Sequence, residues 1–302
     1  MRVEKIKTDK IQEFVEYCKS YREQVDDSFL YDEDLKSFIP DEENPTYILL
    51  NEQGMIIGTL SLMIDSYNRK GKKARIRIFH SMYRTRESYQ MLLKASLKHL
   101  EGINRLYNFV NENNPEVIKI LESLGFEIER YSYHLAREED HIIKEAFPEE
   151  FELRTFQFGR DEEDWCLVRN SGFAKLAGSE IPITSEWVSG LEGDELILEG
   201  GMKLLYHKER PVGQVAISKE YDNDKLYTFI FSLCLIPEYQ GKGLGRNLLR
   251  AAMNYGKSKG MPQAMLSVNA ENDNALKLYL QEGFTKIETM GCYRYEITDA
   301  KR

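Results

Sequence analysis

An internal repeat constrains the architecture of this chain more than any other feature. Gly102, Asn111 and Gly125-Phe126 lie 158 positions before Gly260, Asn269 and Gly283-Phe284. At the same offset, Asn114-Pro115-Glu116-Val117-Ile118-Lys119-Ile120 falls over Asn272-Asp273-Asn274-Ala275-Leu276-Lys277-Leu278. Upstream the offset becomes 155: Tyr47-Ile48-Leu49-Leu50 falls over Met202-Lys203-Leu204-Leu205, and Ile57-Gly58 over Val212-Gly213. A repeat this long is a duplicated domain, since a solenoid unit spans only about 20 to 50 residues. The 302 residues suffice for two domains that each bury a core. The join is expected within Arg137–Glu150, a charged stretch closed by Pro148, giving domains at 1–140 and 148–302.

Each half reads strand, helices, several strands, helix, strand, helix, strand. In the C-terminal half Phe151–Arg154 is a short strand, and Asp161–Ala177 is helical with Trp165, Val168 and Phe173 on its apolar face. Met202–Tyr206, Pro211–Ser218 and Leu226–Ile236 read as strands, and Leu244–Lys257 as an amphipathic helix. Ala264–Val268 is a buried strand. Asp273–Glu282 is a helix capped by Asn272 or Asp273 and stopped by Gly283. Strands near Thr285–Glu288 and Cys292–Ile297 are expected to finish this domain. A mixed sheet with helices on both faces follows, an α/β fold in the broad sense.

Composition excludes several classes. A formal net charge of −9 argues against a nucleic acid or an anionic membrane as the main partner. No stretch approaches a membrane span, and the N-terminus lacks a signal-peptide core, so a cytoplasmic location is expected. Cys18, Cys166, Cys234 and Cys292 are far apart, and the five histidines are scattered, so no metal is expected.

The stretch Pro237-Glu-Tyr-Gln-Gly-Lys-Gly-Leu-Gly-Arg-Asn-Leu-Leu249 follows an apolar strand and opens an amphipathic helix. Glycines in such a turn bring backbone N–H groups close to a ligand, and the free N–H groups and dipole of the helix favour an anion there. Taken alone, the same glycines also suit a tight connection. A P-loop is excluded because Gly241-Lys242 is followed by Gly243 rather than Ser or Thr. A dinucleotide fingerprint is excluded because no third glycine stands at its spacing after Gly241-Lys242-Gly243. The repeat serves as a control. At the 158-residue offset Gln240–Gly245 falls over Met82-Tyr83-Arg84-Thr85-Arg86-Glu87, and Tyr279 over Leu121. One half keeps the candidate chemistry while the other keeps only the scaffold.

The glycine turn, its strand, and Asn272-x-x-Ala275-x-x-Leu278-Tyr279-x-x-x-Gly283-Phe284 together resemble the GCN5-related N-acetyltransferases, in particular the tandem two-domain type that includes mycothiol synthase. The match is specific over about residues 226–297 and weak over 1–140. The resemblance implies two tandem acyl-CoA N-acyltransferase domains. The first (1–140) is expected to be degenerate and without a cofactor, and the second (148–302) to hold acetyl-CoA as co-substrate. Gln240, Gly241, Lys242, Gly243, Leu244, Gly245 and Arg246 then correspond to the pyrophosphate signature, and Cys234, Leu235 and Ile236 to the strand that pairs with the pantetheine arm. Asn272 corresponds to a further cofactor contact, although it also suits a simple helix cap. Tyr279 corresponds to the family's general acid; a packed tyrosine on a buried helix face is the alternative.

One expected part is missing. Family members often place a glutamate on the strand before the signature, at about Phe229 here, yet Leu226–Ile236 contains no carboxylate. Glu180, Glu199 or a water chain remain as sources of a base. The loop Phe173–Trp187 is expected to line the acceptor side. The leading reading is acetyl transfer to a small-molecule or peptide amine; the alternative is a non-catalytic acyl-CoA-binding sensor. A homodimer is left open.

Overall fold

A computed structural model describes residues 1–222 and 225–298. The chain divides into two compact units, Met1–Ser132 with the chain from Thr289 on, and Tyr133–Glu288.

The first unit contains β1 (Arg2–Lys5), α1 (Ile11–Tyr21), α2 (Asp32–Lys36), β2 (Thr46–Leu50), β3 (Ile56–Met63), α3 (Ser66–Lys70), β4 (Lys73–Ser81), α4 (Arg86–Ser96), β5 (Arg105–Asn111), α5 (Pro115–Leu124) and the start of β6 (Phe126–Arg137). Strands β1 to β5 lie in sequence order, antiparallel except for the parallel β4–β5 pair that α4 connects. Helices cover both faces, so β2 reads as an unbroken apolar run rather than an alternating one, and all five of its residues are buried. Tyr47 and Leu49 join the core under α4 and α5, while Ile48 and Leu50 join the core under α1 and α2.

The second unit contains the end of β6, then β7 (Phe151–Thr155), α6 (Glu162–Gly172), α7 (Ser185–Ser189), β8 (Lys203–His207), β9 (Arg210–Asp222), β10 (Lys225–Leu235), α8 (Leu244–Ser258), β11 (Ala264–Asn269), α9 (Asp273–Gln281) and the start of β12 (Thr285–Glu296). The order β11-β10-β9-β8-β7 is antiparallel except for β10–β11, which α8 connects. Leu248, Leu249 and Ala252 of α8 are buried, and burying a leucine contributes about 1.5–3 kcal/mol. At Gly256 the helix comes so near β10 that a Cβ would lie 1.9 Å from Thr228 Oγ1.

The two halves share their irregularities. β4 carries a register shift between Ile76 and Ile78, and β10 carries one between Ile230 and Ser232. In the β2–β3 hairpin Gly58 pairs with Leu49, and in β8–β9 Gly213 pairs with Leu205. The Tyr47–Leu50 block therefore sits one residue away from where the 155-residue offset puts it, because the first hairpin's loop is one residue longer.

Four residues (82–85) join β4 to α4, whereas eight (236–243) join β10 to α8. The strands expected near Thr285–Glu288 and Cys292–Ile297 are one continuous strand. From Met290 to Glu296 it pairs antiparallel with β5 of the first unit, where Cys292, Tyr293 and Tyr295 are buried. These residues complete the first unit rather than the second. An apolar pattern fixes which face of a strand is buried but not which neighbour the strand chooses. All four cysteines are free and buried, and among the described residues no helix is long and apolar enough to cross a membrane.

Candidate active site

The turn between β10 and α8 is shaped by backbone conformation. Pro237–Tyr239 forms one 3-10 turn, and Gly241 and Gly243 then take φ of +72° and +80°. A Cβ at either position would meet no protein atom within 4 Å, so conformation rather than crowding calls for glycine. Gly243 is the N-cap of α8 and has no side chain to cap it. The first turn's N–H groups therefore receive no side-chain acceptor at the end of the helix where the dipole is positive. At Gly245 a Cβ would make only ordinary contacts, 3.7 Å from Leu235 Cδ1 and 3.9 Å from Leu278 Cδ2.

The side chains around this loop are largely committed to the protein. Gln240 Nε2 donates to Leu235 O at 2.9 Å, and the Lys242 ammonium lies 5.0 Å from the Tyr239 ring centre. Arg246 pairs with Glu282, which also receives Arg250 through two hydrogen bonds of 2.7 and 2.8 Å. Tyr239 is tied to His207 Nδ1 at 2.8 Å, which fixes the turn against β8. What the loop leaves available is mainly backbone N–H.

β10 itself is paired on both sides only in part. It follows β9 from Lys225 to Leu235, but its parallel register with β11 runs from Thr228 to Ile230 against Ala264 to Leu266. The bulge at Phe231 turns the strand at that point. From Ser232 to Leu235 the edge that faced β11 has no partner strand in that register. Cys234 and Leu235 point their side chains into the unit. A Cβ on Gly172 would sit 2.9 Å from Cys234 Sγ, so α6 lies directly on Cys234, and one on Gly213 would sit 2.6 Å from Leu235 Cδ2. Burial pushes the Cys234 thiol up to about 12, which keeps it neutral. Ile236 N bonds Val212 O at 3.0 Å. With Ile236 N bonded to β9, strand alternation turns the Cys234 backbone toward β9 as well, contrary to the expectation for that residue, and leaves Leu233 and Leu235 on the free edge, where Leu235 O is already held by Gln240 Nε2.

Tyr279 stands on α9 and is 8% exposed. Burial, with the nearby Cys234, pushes its phenol up to about 12. Among the described residues its hydroxyl makes no hydrogen bond. Asn272 caps α9, its side chain accepting from Ala275 N at 3.3 Å, and its amide nitrogen remains a donor.

The segment after α6 is tied to its surroundings by side-chain hydrogen bonds. Arg169 donates to Ile181 O at 2.6 Å, and Asn170 bonds both Ile183 O and Ile183 N at 2.9 Å. Asn269, at the end of β11, donates to Ala177 O at 2.9 Å. The expected loop Phe173–Trp187 ends earlier, because Thr184 caps α7 and Trp187 lies on that helix. Of the two glutamates named as bases, Glu180 is exposed, while Glu199 lies beside Tyr255 in the last turn of α8, at the far end from the glycines.

Sequence reasoning missed a polar pair near the bulge. Gln214 is fully buried, donates from Nε2 to Ser232 Oγ at 3.1 Å, and leaves Oε1 without a partner among the described residues. A lone glutamine inside the apolar run Pro211–Ser218 was the available signal.

Residues 145–284 match the model of the Acetyltransferase (GNAT) family. This stretch, just under half of the chain, is similar to the GNAT family. A mycothiol acetyltransferase of Renibacterium salmoninarum is 28% identical over 233 residues, covering 72% of this chain and 66% of that one, just under two thirds of its length. Two solved structures share the fold across both units. A GCN5-related N-acetyltransferase from Sphaerobacter thermophilus has a TM-score of 0.73 at 15% identity, covering 97% of this chain and 95% of that one. A tandem GNAT protein from the clavulanic acid biosynthesis pathway has a TM-score of 0.71 at 14% identity, covering 99% and 100%. The family match and the sequence relative support an N-acetyltransferase.

Proposed function

We infer that the second unit binds acetyl-CoA and transfers its acetyl group to a primary amine by direct attack. One observation carries this reading: the same strand–loop–helix unit combines an open strand edge at Ser232–Leu235 with an uncapped helix start entered through two left-handed glycines. The fit is good for a pyrophosphate joined to an extended, amide-rich arm. Backbone N–H groups from Gly241 to Arg246 would hold the pyrophosphate, and the free edge of β10 would pair with the arm. Gly245 supports the reading too, because no protein contact demands glycine there.

Acetyl-CoA supplies the thioester carbon that the amine attacks. The C–N bond forms as the C–S bond breaks, the nitrogen loses one proton, and the thiolate gains one. Backbone N–H on the free edge of β10 would stabilise the oxyanion. With its phenol near 12, Tyr279 stays protonated and so would donate a hydrogen bond to the departing sulfur, whose thiol has an ordinary pKa of about 8.5. Full transfer from this phenol would be uphill, so the proton that ends on sulfur is expected to originate from the amine. A role for Asn272 through its free amide N–H fits beside the cofactor.

The absence of a carboxylate from Leu226–Ile236 favours a second reading, a non-catalytic acyl-CoA sensor. Coenzyme A release measured over a panel of primary amines, with Tyr279→Phe as the companion variant, separates the two. Turnover that falls in the variant while acetyl-CoA affinity holds supports transfer. Acetyl-CoA binding without turnover on any amine supports the sensor.

A further inference from the structure

A second cavity lies in the same unit, at the other end of α8 from the glycine loop. α8 has 15 residues, about 22 Å at the usual rise, and Tyr255 and Lys259 stand at its C-terminal end. There the segment between α7 and β8 lies against the helix and lines a cavity of about 640 Å³ that is open to solvent on one side, a volume typical of small-molecule sites.

The cavity is built by specific contacts. Tyr255 donates its hydroxyl to Glu199 O at 2.7 Å. Gly200 takes φ of +70°, and a Cβ there would lie 2.4 Å from Tyr255 Oη, so glycine lets the ring sit beneath the segment. Leu198 N bonds Ile217 O and Lys219 N bonds Leu196 O, at 3.2 and 2.9 Å, which anchors the segment to β9. Phe156, Phe158 and Leu191 form apolar walls, and Phe156 packs edge-on against Trp165 at 5.4 Å.

The polar lining is mainly acidic. Glu192, Asp194 and Glu199 are exposed around the cavity, against Lys259 in its lining and Lys203 beside Tyr255. The C-terminal end of α8 adds the negative end of a helix dipole. The Tyr255 ring is itself occupied by two ammonium groups, with the Lys203 and Lys259 nitrogens 4.3 and 5.3 Å from its centre, so it serves as a wall and leaves the charge to the carboxylates.

We propose that this cavity is a binding site, separate from the acetyl-transfer site, for an organic ammonium ion with an apolar body. The walls, Tyr255 among them, take the apolar part, and the carboxylates take the charge. A neutral amide of the same shape keeps the apolar contacts but loses the ionic ones, so the site discriminates an amine from its acetylated form. The proposal does not depend on acetyl transfer.

The test titrates the full chain with 2-phenylethylammonium chloride in a Trp187→Phe background, so that Trp165 alone reports through its contact with Phe156. A saturable fluorescence change that persists with acetyl-CoA present is expected. Its N-acetyl derivative should bind at least about tenfold more weakly, and the double variant Glu192→Gln/Asp194→Asn, at exposed positions, should weaken the amine about 3- to 10-fold. No Trp165 response at millimolar probe would overturn the site. Equal binding of the acetylated probe, or tighter binding of 3-phenylpropionate, would overturn the cationic class. Tyr255→Leu should lose the response while its melting profile reports whether the unit stays folded.

Discussion

Helices α4 and α8 begin at corresponding points of the two units, yet their first turns differ in capping and in the loop that enters them. Thr85 caps α4, accepting from Ser88 N, and Ser88 Oγ donates in turn to Tyr83 O at 2.6 Å. Gly243 leaves α8 uncapped. The loop into α4 is four residues shorter, and Glu87 stands in the first turn of the helix, where it opposes an incoming phosphate. Beyond the helices, both units show the same short parallel pairing, Lys73–Arg75 with Arg105–Tyr107 in one and Thr228–Ile230 with Ala264–Leu266 in the other. In the first unit Asp26 bonds Arg75 at 2.6 Å, and the Arg75 guanidinium lies between Phe29 and Phe109 at 4.5 and 4.4 Å. The space lined there by Asp26, Arg77 and Tyr89 amounts to about 10 Å³, room for about one water. A duplicated scaffold can thus keep its bulge and its sheet while the space beside them is filled by the protein's own side chains.

The sharpest way to break the comparison is Gly243→Glu. It puts a side chain on a left-handed residue and a charge at the helix start, and should weaken acetyl-CoA binding by more than about 1,000-fold, or about 4 kcal/mol. Unchanged affinity in a calorimetric titration would remove the phosphate cradle from the account.

The next effect belongs to the first unit. Asp26→Asn should destabilise it by about 1–2 kcal/mol, since one member of a partly buried, hydrogen-bonded ion pair is removed. Burial opposes ionisation of Asp26, but Arg75 and hydrogen bonds from Ser28 outweigh it and hold the carboxyl below its ordinary value. A depressed carboxyl contributes its stability above the unfolded pKa of about 3.9 and loses it as pH falls through the lower folded value. The wild type should therefore lose its advantage over the variant on acidification below about pH 4, measured by urea melts across that range.

Tyr279→Phe comes third, with turnover down about 10- to 100-fold and acetyl-CoA affinity changed less than about threefold. Leu121→Tyr in the first unit should create no activity, because the rest of the apparatus is missing there. A variant Tyr279→Phe with full turnover would return that residue to a packing role. Smallest is Asn272→Ala, expected to cost about 1 kcal/mol through loss of the α9 cap. A simultaneous loss of acetyl-CoA affinity beyond what the melt explains would show that its amide also meets the cofactor.

What could be read from the residues was local. The glycine turn, the strand before it, the Asn272 cap and the stop at Gly283 each announce themselves within a few positions, because turn chemistry and helix capping depend on near neighbours. The long-range choices left weaker traces. Nothing in Cys292-Tyr293-Arg294-Tyr295 says that this segment pairs with β5, and the bonds from Asn170 to Ile183 and from Asn269 to Ala177 join residues whose sequence neighbourhoods are unremarkable. The shortened loop into α4 was hidden because the constant offset holds on its helix side. Gln214 was visible as a polar interruption, but its partner Ser232 required the β9–β10 register.

Calorimetric titration of the intact chain with acetyl-CoA, read for stoichiometry, tests the central claim most directly. The account predicts one site per chain, lost in Gly243→Glu. Two sites would show that the first unit still binds despite its capped helix and filled space, and no binding would leave a shared fold without the proposed activity.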